Sequence, residues 1–363
     1  MPFSGKPRRS PLDVLTPSVQ ATIDAYARTV TRRWLLVAGL GAATVLAFAL
    51  DIATGPSTLT LHQVWLGLVD PGQLTLPQAT IIRDVRLPYA LMALLVGAAL
   101  SLAGAEMQTI LNNPLASPFT LGVSSAASFG ASLAIVMGIS LPFVPADWMV
   151  PLNAFIAAFA SVLLLEALAR SRAAGVEGVV LFGIALVFTF NALTALVQFI
   201  ASQEALAQLV FWGMGSLSRA TWGNLGVLAA VVALVVPFSL GAANAFTALR
   251  LGEDRARSFG IDVKRLRLAS LFRISALAAT AVAFVGTIGF IGLVGPHIAR
   301  LLLGEDHRFL LPAAMLTGAL VMSLASVLSK VLVPGVLLPV GIVTSMIGVP
   351  LFLVLILRKP ERV

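Results

Sequence analysis

No cysteine occurs among the 363 residues, so neither a disulfide framework nor a thiolate metal site can be built. The three histidines, His62, His297 and His307, are far apart and form no ligand pair at helical spacing, so a resident metal site is not expected. No GxxxxGK[ST] phosphate-binding loop is present, so any nucleotide hydrolysis belongs to another polypeptide. Charged residues are only 11% of the chain, against roughly 25% in a soluble globular domain.

What fills the chain instead is apolar. Hydrophobic residues make up 58% and the mean hydropathy is +0.97. That composition describes an all-α polytopic membrane protein. Ten spans are expected, at about Trp34–Ala53, Tyr89–Ile110, Phe119–Met137, Trp148–Ala169, Val176–Ala201, Trp222–Gly241, Ser270–Phe290, Gly292–Leu303, Leu311–Val333 and Gly341–Leu357. Met1–Arg33 is polar and basic and too long for the head of a cleavable signal, so residues 1–33 read as a retained cytoplasmic tail and 34–358 as the transmembrane domain. No interval between spans is long enough for a separate soluble domain. Thr60–Asp70 and Gln203–Gly213 suggest short helices outside the bilayer, the second with Trp212 suited to a membrane interface.

Basic residues set the orientation. With both termini in the cytoplasm, only Arg83, Arg86, Arg219 and Lys330 of the 24 Lys and Arg face out, as the positive-inside rule requires. The net charge of +8 is thereby explained without nucleic acid. Small residues such as Gly97, Gly104, Gly130, Gly286 and Gly292 recur in the spans, where they let helix backbones approach closely. Glu106 reads as the one acid well inside a span, so a carboxylate relay of the kind used by ion-driven carriers is missing.

One stretch breaks the apolar pattern. Leu249–Arg273, LRLGEDRARSFGIDVKRLRLASLFR, holds Arg250, Arg255, Arg257, Lys264, Arg265, Arg267 and Arg273 with Glu253, Asp254 and Asp262. A charge at the bilayer centre costs roughly 2.5–3.5 kcal/mol on insertion scales, so this stretch lies in water. Gly260 predicts a break between two helices, and Asp262 predicts an N-cap for the second. A folded helical pair held on the inner face suggests a docking surface for a partner.

Four stretches also carry a resemblance. RLPYALMALLVGAALSLAGAEMQTILNNPLASPFTLGVSSAASFGA (Arg86–Ala131), ALRLGEDRARSFGI (Ala248–Ile261), GTIGFIGLVGPHIARLLLGEDHRFLLP (Gly286–Pro312) and LPVGIVTSMIGVPLF (Leu338–Phe352) closely resemble the FecCD family, permeases of type II ABC importers for iron–siderophore complexes, haem and cobalamin. The similarity runs from about Trp34 to Arg358. It implies a ten-helix type II ABC importer permease in the bacterial cytoplasmic (inner) membrane, working as a dimer, here read as a homodimer. It also implies two ATPase subunits, which carry ATP and Mg, and an extracytoplasmic binding protein that delivers substrate. No cofactor is implied in this chain.

The resemblance assigns roles residue by residue. The segment about 249–267 resembles the family's coupling loop, with Leu251, Gly252, Glu253, Asp254, Arg255, Arg257, Phe259 and Gly260 at the ATPase; Leu251, Phe259 and Ile261 would give apolar contact. Asn113, Pro114 and Leu115 resemble the cytoplasmic gate loop, although Asn and Pro are also ordinary turn formers. Arg86 and Lys330, with Arg83 nearby, match positions that receive carboxylates of the binding protein, although Arg86 could instead only anchor the interface. Two departures thin that docking pattern: Tyr89 stands where a second Arg is usual, and Leu337 where an acid usually precedes Leu-Pro-Val-Gly. The substrate expected is a ferric siderophore or similar large iron chelate, the alternative being haem or cobalamin. An ion-gradient-driven secondary carrier is the reading from a different class.

Overall fold

The computed structural model describes residues 17–57, 59–170 and 176–357. Among them every regular element is helical. In chain order the α-helices are α1 (Pro17–Ala53), α2 (Leu61–Val69), α3 (Leu76–Thr80), α4 (Leu87–Ile110), α5 (Val123–Met137), α6 (Ala146–Arg170), α7 (Val176–Phe199), α8 (Gln203–Gly213) and α9 (Trp222–Gly241), with a π-helical turn over Ile81–Arg86 leading into α4. There follow α10 (Ala243–Leu249), α11 (Glu253–Ser258), α12 (Val263–Val285), α13 (Ile291–Leu303), α14 (His307–Val331) and α15 (Val340–Leu357). Each expected span overlaps a helix, though not always with the expected ends. Seven helices among the described residues are long and apolar enough to cross a membrane, in α1, α4, α6, α7, α9, α12 and α14, whereas α5, α13 and the described part of α15 are shorter. The chain is therefore a multi-pass membrane protein.

Helices α4, α12 and α14 are buried along most of their length, while α1, α6, α7 and α9 leave most of theirs free. The packing rests on small residues. A Cβ on Gly97 would overlap the carbonyl oxygen of Gly318, one on Gly104 that of Gly292, and one on Gly130 that of Asn153. The pairs α4/α14, α4/α13 and α5/α6 thus touch backbone to backbone, which trades side-chain bulk for dispersion contact where lipid offers no hydrophobic driving force between helices. The Ser101 hydroxyl completes the α4/α14 seam by donating to Ala314 O at 2.5 Å.

Helices α1 and α14 run parallel. Arg33 pairs with Asp306 at one end, Thr44 donates to Leu316 O in the middle at 3.1 Å, and Asp51 pairs with Lys330 at the other. The end bearing α10 and α11 is called the near end here, and the end bearing α2, α3 and α8 the far end.

Three expectations change. The polar segment before Trp34 is not separate from the first span, because α1 is continuous from Pro17; residues 1–16 lie outside the described residues, as do Arg172 and the carboxy-terminal basic residues. The span expected over Ser270–Phe290 ends at Val285, where Gly286 takes φ +81°, and α13 starts only after Phe290 at φ +67°. Residues 286–290 are non-helical backbone inside the molecule, tolerated because protein groups rather than lipid surround them. Ser216 N donates to Val285 O at 2.7 Å, Gly341 N to Gly215 O at 3.1 Å, and the Thr287 hydroxyl to Gly213 O. Finally, Trp212 is buried on α8 rather than placed at an interface.

Candidate functional site

The near-end segment folds as its residues dictate. Gly252 at φ +109° turns the chain out of α10, and α11 follows with Glu253 and Asp254 in its first turn, where the helix dipole favours acids. Gly260 at φ +79° ends it, and the Asp262 carboxylate caps α12 by accepting from Arg265 N at 3.0 Å. Leu249, Ala256 and Val263 bury themselves against one another with Ile261 and Leu266. Ile261, expected to offer apolar contact to a partner, is thus spent inside this small core. Leu251 and Phe259 are not: they stand 53% and 65% exposed on an element otherwise dressed in charge.

Ion pairs fix that element to the membrane helices. Glu253 pairs with Arg257 at 3.0 Å and also with Arg267, whose Nε donates to Ile110 O at the end of α4. Arg250 donates to Asn112 Oδ1 at 2.5 Å and pairs with Glu305 at 3.0 Å. Arg300 pairs with the same Glu305 and donates to Gln108 Oε1, each at 3.0 Å. His307 bridges α4, α10 and α14, with Nε2 at 2.8 Å from the Thr109 hydroxyl and its backbone N–H donating to Thr247 at 3.0 Å. Individually such partly exposed pairs are weak, roughly 0–1 kcal/mol, but a network sharing its members holds a defined geometry. Beside it, hydrogen bonds from Arg308 and the charge of Arg33 hold the Asp306 carboxyl below its ordinary range despite partial burial.

The 112–115 loop sits directly on this network. Asn112 takes φ +45°, a left-handed conformation Asn tolerates well. Asn113 accepts from Leu115 N at 2.9 Å through its side chain and donates its own N–H to Gln108 O at 3.0 Å, so Asn113 and Pro114 form a tight turn that leaves Leu115 43% exposed. The sequence singled out Asn113–Leu115 and the 251–260 segment separately. It did not show that Asn112 and Arg250 join them, nor that Glu305, Arg300 and Gln108 complete the joint. Glu305 was within reach, standing in the GEDHR stretch of one of the four motifs.

Deeper in, Glu106 is fully buried and pairs with Arg273 at 2.8 Å. It is not the one acid inside a span: Asp51 and Glu166 are buried as well. Asp51 pairs with Lys330 and Glu106 with Arg273, which makes them structural pairs instead of a carboxylate relay.

At the far end the expected docking cations separate. Arg83 is exposed. Arg86 is 5% exposed, and its guanidinium donates to Ile52 O and Ala53 O at 3.1 Å and to the Ser57 carbonyl and hydroxyl at 3.0 and 2.7 Å. The Ile52 and Ala53 carbonyls are among those that the end of α1 leaves without intrahelical partners, so Arg86 caps the C-terminus of α1 and holds the following loop at Ser57. Lys330 is 8% exposed, reaching Asp51 Oδ1 at 2.6 Å with its ammonium 4.6 Å from the Tyr89 ring. Tyr89 thus replaces a charge with a cation–π partner. Arg86 and Lys330 are interior groups, which corrects the expectation that they face a binding protein. Also at the far end, a cleft of about 950 Å³ opens among α5, α6, α8, α9 and α12, lined by Asp147, Trp148, Glu204, Phe211 and Arg219 among others.

The chain has recognisable relatives among known proteins. Residues 43–358 match the FecCD transport family. The chain is 36% identical over 328 residues to the hemin transport system permease protein HmuU of Yersinia pestis, covering 90% of this chain and 94% of that one. It is 36% identical over 330 residues to the ferric enterobactin transport system permease protein FepD of Escherichia coli, covering 90% and 96%. Among solved structures, the inward-facing conformation of a metal-chelate type ABC transporter superposes with a TM-score of 0.77 at 32% identity, covering 88% of this chain and 98% of that one.

Proposed function

We propose, on the premise that this chain belongs to the FecCD transport family, that it is the permease subunit of an ATP-driven importer carrying a ferric siderophore or similar large iron chelate into the cytoplasm. The observation that carries the reading is the pairing of an exposed apolar contact with a rigid mount. Leu251 and Phe259 flank α11 on either side, and α11 is tied through Glu253–Arg267–Ile110 O to the end of α4 and through Arg250 just before it to the 112–115 loop. A partner gripping α11 therefore pulls on that loop without a slack linker between them. The partner is one of two ATPase subunits that hold ATP and Mg. The loop bearing Asn113, Pro114 and Leu115 narrows the inner end of a pathway between this chain and a second copy. The near end then faces the cytoplasm, with both termini on that side of the cytoplasmic membrane. Relatives are named for hemin, ferric enterobactin and vitamin B12 transport, so haem and cobalamin remain the competing cargoes in a transport test.

Leu251→Asp with Phe259→Asp is expected to lower ATPase association at least tenfold, the effect of losing about 1.4 kcal/mol or more at a contact. Because both side chains are exposed, the thermal midpoint of the permease should not move. Arg250→Ala should leave association intact and reduce substrate moved per ATP in proteoliposomes. ATP-driven uptake at the normal rate by the Leu251/Phe259 variant would remove the reading. The same assay, run with a ferric siderophore, haem and cobalamin in turn, decides the cargo.

A binding protein delivering the cargo meets the far end, where Arg83 is the accessible member of the expected trio. Arg83→Glu is expected to slow binding-protein association and flatten its salt dependence, with little loss of final affinity, because exposed pairs act mainly on encounter. Unchanged association kinetics across a salt series would exclude Arg83.

A further inference from the structure

The amino-terminal part of α1 overhangs the rest of the molecule. Every residue from Val19 to Thr29 is exposed, and the helix first meets the core at Val30 and buries Val37. The overhang is not uniformly polar. Val19, Ile23 and Tyr26 stand 42%, 45% and 57% exposed at spacings of four and three, on the face that continues downward through Val30 and Val37. Below Arg33 the stripe meets the core at buried Val37, and half-exposed Trp34 lies edge-on to Phe309 at 5.3 Å. Above Arg33 the stripe runs on for about 16 Å, from Val30 to Val19 at 1.5 Å per residue, and α14 has already ended at His307.

Its position tells what covers it. Arg33 and Arg308 both pair with Asp306, and Arg308 also donates to the Tyr26 hydroxyl at 3.2 Å. The next residue, Glu305, holds Arg250, which precedes Leu251. The overhang therefore stands at the same end as the exposed face of α11 and is chained to it by side-chain contacts. A membrane surface is the poorer occupant. An interfacial helix lies in the bilayer plane, whereas α1 is continuous from Pro17 to Ala53 and has neither glycine nor proline between Val19 and Arg33 to let it fold over.

We propose that Val19, Ile23 and Tyr26 form a second docking surface for the ATPase subunit, beside α11. The inference rests on the reading of α11 as the ATPase contact. Three half-exposed side chains fall well short of the roughly 1,000 Å² that a stand-alone interface needs, so the stripe acts only together with α11. Its contribution is to hold the ATPase in register while the α11 contact transmits force, and exposed Arg28 and Arg32 select an acidic rim on the partner.

The test uses the complete complex in lipid nanodiscs, with a photoreactive benzoylphenylalanine placed at Ile23 in one preparation and at Leu251 in another. Both positions are expected to crosslink the same ATPase subunit. A Leu251 adduct with the ATPase, combined with an Ile23 adduct only to lipid or to a second permease copy, or with none at Ile23, overturns the docking surface and leaves the α11 reading standing. Absence of an ATPase adduct from both positions overturns the two together. Independently, Ile23→Ser with Tyr26→Ser should weaken ATPase binding about tenfold with an unchanged thermal midpoint of the isolated permease; unchanged binding overturns the proposal.

Discussion

Lys330→Met is expected to destabilise the folded permease by about 3–5 kcal/mol, the usual cost of leaving one member of a buried ion pair behind. Lys330 Nζ lies 2.6 Å from Asp51 Oδ1 and 2.7 Å from Asp51 O, and Asp51 is fully buried. Ser326 donates to the same carboxylate oxygen at 2.5 Å and cannot neutralise it. The thermal midpoint in detergent should fall well below that of the parent protein. Pairing Lys330→Met with Asp51→Leu should restore most of the loss, because replacing both charges with apolar groups removes the stranded carboxylate. A double variant as unstable as Lys330→Met alone would show that packing at Lys330, and not its charge, holds the far end. The result also separates a structural role from docking: a cation serving only an external partner would be replaceable without effect on the isolated permease.

Gly104→Val should be as damaging by a different route. A Cβ at this position falls on the carbonyl oxygen of Gly292, with the carbonyl carbon and Cα at 2.7 and 2.8 Å, and none of these is a flexible side-chain end that could swing aside. Helices α4 and α13 would have to separate, at a cost above the roughly 1–3 kcal/mol of ordinary overpacking. Expression with a monodisperse elution profile and an unshifted melting curve would show that the two helices do not approach as closely as described. Gly41, which meets nothing within 4 Å, provides the control: Gly41→Val should be tolerated.

The sequence made the helices legible because apolar length is a strong signal in a membrane. The break at Gly260 and the cap at Asp262 were equally readable, since both depend on local backbone chemistry. What could not be read was pairing across distance. Asp51 and Lys330 are separated by 279 positions, and Arg250 and Asn112 by 138, so only the fold reveals that a charge counted as external is internally matched. Positive-inside counting assigns a side to Arg86 and Lys330 and the family resemblance assigns them a docking role, but neither says anything of depth, and both groups lie in the interior. The end of α12 at Val285 was hidden for a related reason. Residues 286–290 are as apolar and glycine-rich as a helix in lipid, and their helix-free path is permitted by a hydrogen bond to α8 and close packing against Gly341 and Gly348 of α15, which hydropathy does not see.

The parallel α1 and α14 are pinned at both ends and once between, by Arg33–Asp306, Thr44–Leu316 O and Asp51–Lys330. Two rods bolted at a single point can scissor, whereas two rods bolted at both ends resist shear and swing as one plank. A push delivered at Asp306 should therefore arrive at Lys330 as a tilt of the whole pair rather than dying out as a bend in either helix. The far-end rim where α1 finishes is then a pointer that reports displacement at the opposite membrane face, with no separate messenger between them.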